Sequence, residues 1–191
     1  METTTASSNV NLRSLAIKNG VIWGVISIVL LLVFNYILPD MMGSYVFTGI
    51  TFVISIGLAI FFCLDMRKQA GGYWTFKEAL LNIFVMFLIS MAISFAFTVF
   101  FGKYIDTTYP TRMKDMIMSK TESTYKSVGM EGDQLAEAMS KLDTQLDKQF
   151  SPSFYEMIVS FGIAAVMYFI GALIFAAIFK KPRPLYFPTQ E

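Results

Sequence analysis

Few side chains in this chain are able to do chemistry, and most of them have a structural reason to be where they are. Histidine is absent, which removes the residue most used for acid–base work near neutral pH and for binding transition metals. The single cysteine, Cys63, has no second thiol to pair with and lies close to Asp65, Arg67 and Lys68. A juxtamembrane cysteine is open to acylation, but a small apolar residue within a helix is the simpler reading. Glu131, Asp133 and Glu137 cluster as a cation site would, yet they lack calcium-loop spacing, and the positive end of a helix dipole accounts for carboxylates there. Glu78 follows Thr75, and Glu156 follows Ser153, at the interval of a capping box. In that box the hydroxyl accepts from the third helical N–H while the glutamate reaches back to the cap's own N–H. No convergent Ser/Lys or carboxylate pair can be identified by spacing. Catalytic, cofactor-binding and metal-binding residues are therefore not assigned, and the chain reads as non-enzymatic.

The elements that position these groups are dictated by composition. Hydrophobic residues make up 55% of the 191 residues and charged ones only 15%. Surfaces so rich in Phe, Tyr and Met are solvated by lipid and not by water, which makes the bilayer the first partner. A net charge of +1 gives no basic footprint for phosphates, so nucleic acid is not expected as a partner.

Apolar runs at 19–38, 45–64, 79–101 and 157–179 are each long enough, at about 1.5 Å per residue, to cross a hydrocarbon core of about 30 Å. The first is too long for a signal peptide, no small-residue cleavage site follows it, and three more spans come after it. Small residues mark faces where helices should approach closely: Gly20, Gly24 and Ser27 in the first span, Thr51, Ser55 and Ala59 in the second, and Gly162, Gly171, Ala172 and Ala176 in the fourth. The third carries Ser90, Ala92, Ser94 and Ala96 to the same end. Packing within the chain is the simpler use of the Gly20/Gly24 face, and a homodimer the sharper one. No Asp, Glu, Lys or Arg lies at the centre of any span, and only Asn35 and Asn82 are strongly polar, both near ends. Pumps and voltage sensors keep ionisable groups at depth, so this composition counts against them.

Pro39 to Ser44 form a tight turn joining the first two spans as an antiparallel hairpin, and 65–78 is an interfacial loop in which Gly71 and Gly72 turn the chain and Tyr73 and Trp74 suit the headgroup level. The remaining long segment, 102–156, is polar. A helix is predicted after Tyr109-Pro110, with Met113, Ile117, Tyr125 and Val128 along one side. After Gly129 and Gly132 comes a second, its stripe set by Leu135, Met139, Leu142, Leu146 and Phe150. Two such helices make a hairpin whose stripes face each other, the membrane surface or a partner helix. The fold expected is thus all-α: four transmembrane helices in two antiparallel hairpins, with a helical hairpin inserted between the third and fourth.

Charge sets the orientation. The side holding 1–18, 65–78 and 180–191 carries eight Lys and Arg against four Asp and Glu, and the other side seven against ten. Positive charge near span ends favours the cytoplasm, so both tails are expected inside and 102–156 outside. The segment 1–11 is too polar to offset its ordering entropy and is expected to be mobile, and the proline-rich end after Lys180 is expected to be extended.

With RKQAGGYWTFKEAL, the Lys18-x-Gly20-x-x-x-Gly24 opening and MEGDQLAEAMSKLD in view, the chain resembles a bacterial family of four-span membrane proteins, typical of Bacteroidota and catalogued as domain of unknown function 4199. The likeness covers about residues 10–180. It implies four spans and an inner-membrane location, and carries no activity or site residues. Three functions compete: a protein acting by association with a copy of itself or another membrane protein through its helices and external hairpin; a small oligomeric transporter or channel; and an intramembrane enzyme. The first fits the residues best. The second lacks a visible internal repeat, and the third lacks a catalytic constellation.

Overall fold

A computed structural model describes residues 11–150 and 152–182. The segment 1–10, Ser151, the proline-rich end from Arg183 and the side chain of Asp40 lie outside the described residues, and so do the expectations that fell on them. Six α-helices follow in order: α1 (Leu12–Tyr36), α2 (Tyr45–Gln69), α3 (Phe76–Phe100), α4 (Tyr109–Ser127), α5 (Gly132–Phe150) and α6 (Phe154–Phe179). Of these, α1, α2, α3 and α6 are long and apolar enough to cross a membrane. The chain is an all-helical, multi-pass membrane protein.

Each boundary has a local cause. The helix α1 starts well before the apolar run because Asn11 caps it, its side chain accepting from the Ser14 N–H at 3.3 Å. A 3₁₀ turn, Pro39–Met41, and Gly43 at φ +68° reverse the chain, and Ser44 caps α2 by accepting from the Phe47 N–H at 3.1 Å. At Thr75 the Glu78 N–H donates to the hydroxyl at 3.3 Å and the Thr75 N–H donates to Glu78 at 2.8 Å; Ser153 and Glu156 open α6 with the same pair of bonds. The third membrane helix does not stop at Phe100 but runs on as a π-helical turn, Phe101–Ile105, so 102–105 belongs to it and not to the polar insert.

The main partner of α1 is α3. A Cβ on Gly20 would lie 2.7 Å from the Met86 carbonyl oxygen and 2.8 Å from the Ile89 Cβ, and one on Gly24 would lie 2.9 Å from the Ile93 Cβ. The two glycines are thus where α3 comes closest, and dispersion gained along that flat face holds the pair together. On its other side α3 packs against α6, with Phe84 edge-on to Phe169 at 5.2 Å and Phe87 edge-on to Phe175 at 5.9 Å. Contact between α1 and α2 is sparser, chiefly Trp23 stacked on Phe62 and Phe34 edge-on to Phe47.

Buried residues form two clusters. One, around Trp23, Met66, Trp74, Ile83, Met86 and Ala176, fills the end where the α2–α3 connection and the end of α6 meet. There Trp74 and Lys181 exchange backbone hydrogen bonds of 2.9 and 3.0 Å, and the Trp74 indole N–H donates to the Phe179 carbonyl at 2.7 Å. The other joins Phe34, Met42, Phe101, Tyr109 and Met113 at the far end, where α4 is attached.

Candidate functional site

Two places concentrate polar groups that spans and turns do not consume. The first is the seat of α4 on the membrane helices. Arg112 donates to the Asn35 side-chain oxygen at 2.7 Å and to Asp106 at 2.8 Å, so a polar residue near the end of α1 holds a cation from α4. The buried Asn35 amide nitrogen lies beside the Asp106 carboxylate and has no other hydrogen-bond partner among the described residues. A hydrogen bond from the Thr108 hydroxyl, and then the Arg112 guanidinium, hold the Asp106 carboxyl below the usual carboxylate range. Lys120 donates to the Met42 carbonyl at 2.6 Å, and Gly43 leaves only 3.2 Å between the position of a Cβ and Ile117. Burial among Phe101, Phe150 and Met113 raises the Tyr109 phenol above its ordinary value.

The outer helix α5 packs on α4 and has no comparable contact with any membrane helix. Lys114 lies 2.9 Å from Asp143 and 2.5 Å from Asp147, and these two hydrogen-bonded carboxylates raise its pKa. Leu146 is buried, while Leu135, Met139, Leu142 and Phe150 are half-buried. The α4 stripe is shorter than its sequence spacing indicates: the helix ends at Ser127, and Val128, its cap, is 72% exposed. Glu131 and Asp133 are exposed, and Glu137 pairs with Lys141 at 2.6 Å. Among the described residues no group of three metal-ligating side chains comes together.

The second place is a cleft of about 310 Å³ between α1, α2, α3 and α6. It borders the first buried cluster, to which Trp23, Ala59 and Phe87 of its walls belong, and Ser27, Ser55, Ser90, Ser94, Tyr168 and Gly171 also line it. Beside it α2 is loosely seated, touching α1 with Phe47 near its start and burying residues again only from Ala59. From 45 to 58 no residue of α2 is buried, whereas Ala59, Phe62, Cys63 and Met66 are.

The small residues of α2 accordingly part company. Ala59 is in the core, but Ser55 is exposed at the cleft, and Thr51 is half-buried with its hydroxyl donating to the Phe47 carbonyl of its own helix at 2.9 Å. Thr51 and Ser55 are therefore not buried as Ala59 is. On α6, Ala172 and Ala176 are fully buried and Gly171 lies 3.7 Å, at its Cβ position, from Phe87. Gly162 is exposed with nothing within 4 Å of a Cβ. Ser27 turns its hydroxyl onto the Trp23 carbonyl at 3.1 Å. The sequence named Asn35, Ser90 and Ser94 only as polar or small residues; their convergence with other helices has no local signal.

The family model described as a protein of unknown function, DUF4199, matches residues 18–181. The chain belongs to the DUF4199 family. No curated protein and no solved structure matches it. The match to the DUF4199 model spans the α1–α3 contact, the seat of α4 and the Trp74 clamp together, so both places described above fall within the family domain.

Proposed function

We propose that this DUF4199 protein is a non-enzymatic integral protein of the inner membrane that acts by association. In this reading it is an accessory, assembly or regulatory subunit whose membrane helices pack on a partner or on a copy of itself. The spans form two antiparallel hairpins, and the α4–α5 pair is the extracytoplasmic contact surface between the third and fourth. The observation that carries this is the way the pair is mounted. Polar bonds from Arg112 and Lys120 fix α4 to the end of α1 and the turn after it, while α5 packs chiefly on α4 and reaches the end cluster only with Phe150. A helix mounted on one side presents its remaining surface, and its stripe can exchange the α4 contact for a partner helix.

Orientation is supported by charge. Arg13, Lys18, Arg67, Lys68, Lys77, Lys180 and Lys181 flank the ends of α1, α2, α3 and α6 on the side where Trp74 meets Lys181, which fits a cytoplasmic face. The test is crosslinking in native membranes followed by mass identification of what is attached, repeated with Leu142→Asp and Leu146→Asp together. A defined partner lost in the double variant, with membrane insertion intact, supports the reading; a partner retained unchanged sinks the role of α5.

A further inference from the structure

Among the hydroxyls that line the cleft between α1, α2, α3 and α6, four lack the usual use of a hydroxyl in a membrane helix. Ser27, Thr51 and Thr98 each donate to a carbonyl one turn back in their own helix, at 3.1, 2.9 and 2.9 Å. Ser55, Ser90, Ser94 and Tyr168 make no hydrogen bond to another described residue through their hydroxyls, and all four line the cleft. Ser90 is only 7% exposed and lines this space, so its unpartnered hydroxyl keeps its remaining access there. In an environment without competing water such a group is costly unless an acceptor is supplied. An acceptor oxygen entering the cleft would meet that need.

The rest of the lining limits what carries that oxygen. No Asp, Glu, Lys or Arg is among the lining residues, so a charged head would enter without a counter-charge and bear the full desolvation cost. Trp23, Phe87 and Phe175 offer flat apolar faces. The volume of about 310 Å³ is at the small end of ligand pockets, roughly 300–1,000 Å³, which suits a head and not an entire lipid. Room for a tail lies between α2 and α6, where Phe52 and Met167, both wall residues, are 65% and 63% exposed.

We propose that this cleft binds the head of an uncharged membrane lipid that bears carbonyl oxygens, the serine hydroxyls donating to them while the tail leaves between α2 and α6 into the bilayer. Glyceride esters and quinones share this chemistry, and the experiment separates them. The full chain is placed in phosphatidylcholine nanodiscs and offered three probes: a diacylglycerol with a photoreactive acyl chain, the matching photoreactive phosphatidic acid, and a short-tailed benzoquinone read by quenching of tryptophan fluorescence that Trp23→Phe abolishes.

Saturable labelling of α2 and α6 by the glyceride but not by the phosphatidic acid, or saturable quenching by the quinone, is expected, and whichever neutral probe binds names the source. Ser90→Ala with Ser94→Ala should weaken that binding by about tenfold for two lost hydrogen bonds. Gly171→Leu should block it by filling the space, since a Cβ there meets only an ordinary contact. The serine-to-alanine pair changes no packing volume of consequence, so it decides the matter even where the leucine variant does not fold. Equal labelling by neutral and anionic lipids, binding of neither neutral probe, or undiminished binding by the serine double variant overturns the proposal.

Discussion

The contact at Gly20 and Gly24 makes a quantitative demand on α1. Adding a single methyl at Gly20 places a carbon 2.7 Å from a backbone oxygen and 2.8 Å from the Ile89 Cβ, neither of which a rotamer change can move. The helices must separate by several tenths of an ångström, and overpacking of this kind costs about 1–3 kcal/mol. Against it stands the gain in helix propensity from Gly to Ala, up to about 1 kcal/mol. The expected net for Gly20→Ala is a destabilisation of about 1–2 kcal/mol, and less for Gly24→Ala, where no backbone atom is struck. Once α3 has moved away from one new methyl, the second meets less resistance, so the double variant should cost less than the sum by about 0.5 kcal/mol or more. Gly49, with nothing within 4 Å of its Cβ position, is the internal control, and Gly49→Ala should be neutral or stabilising. Reversible unfolding in mixed detergent micelles, followed by tryptophan fluorescence, gives all four free energies. If Gly20→Ala is as stable as the wild type, or cannot be told from Gly49→Ala, the close approach of α1 and α3 is not what holds them.

Further outcomes follow from the polar groups. Thr75→Ala and Ser153→Ala should each cost about 1 kcal/mol in the same unfolding measurement, since each leaves first-turn N–H groups unsatisfied. Because the folded-state pKa of Asp106 is depressed, its contribution is present above the usual carboxylate range and is lost as pH falls through the depressed value. Protection of α4 amides from hydrogen exchange should fall with it, and Asp106→Asn should show that low protection at neutral pH. Cys63 is fully buried and serves as a silent background for cysteine scanning, so Gln134→Cys should react with an impermeant maleimide in intact cells and Lys68→Cys only after lysis. The reverse pattern would invert the orientation proposed above.

Much of the architecture is written locally. Four apolar runs of membrane length, the Thr75 and Ser153 caps and the Pro39 to Gly43 turn depend on residues a few positions apart, and propensity and capping rules reach that far. Which helices touch does not. Chain continuity favours the first and second spans as partners, yet α1 spends its glycine face on α3, a choice made by surface shape across residues more than sixty positions apart. The serines of α2 and α3 are indistinguishable in sequence from packing residues, because a cleft is a property of how four helices sit together and no single helix encodes it. Asn35 likewise acquires its role only when Arg112 arrives from α4, at a separation of 77 residues.

The clamp at Trp74 bears on the order in which the chain is made. Its indole donates to a carbonyl 105 residues later, at the very end of the last membrane helix. At synthesis rates of about 5–20 residues per second, Trp74 waits on the order of 5–20 s for that partner. An indole resting at the headgroup level tolerates the delay. The bond therefore closes only after α6 has been made, and together with the Lys181 exchange it marks a chain in which the four described spans have been threaded.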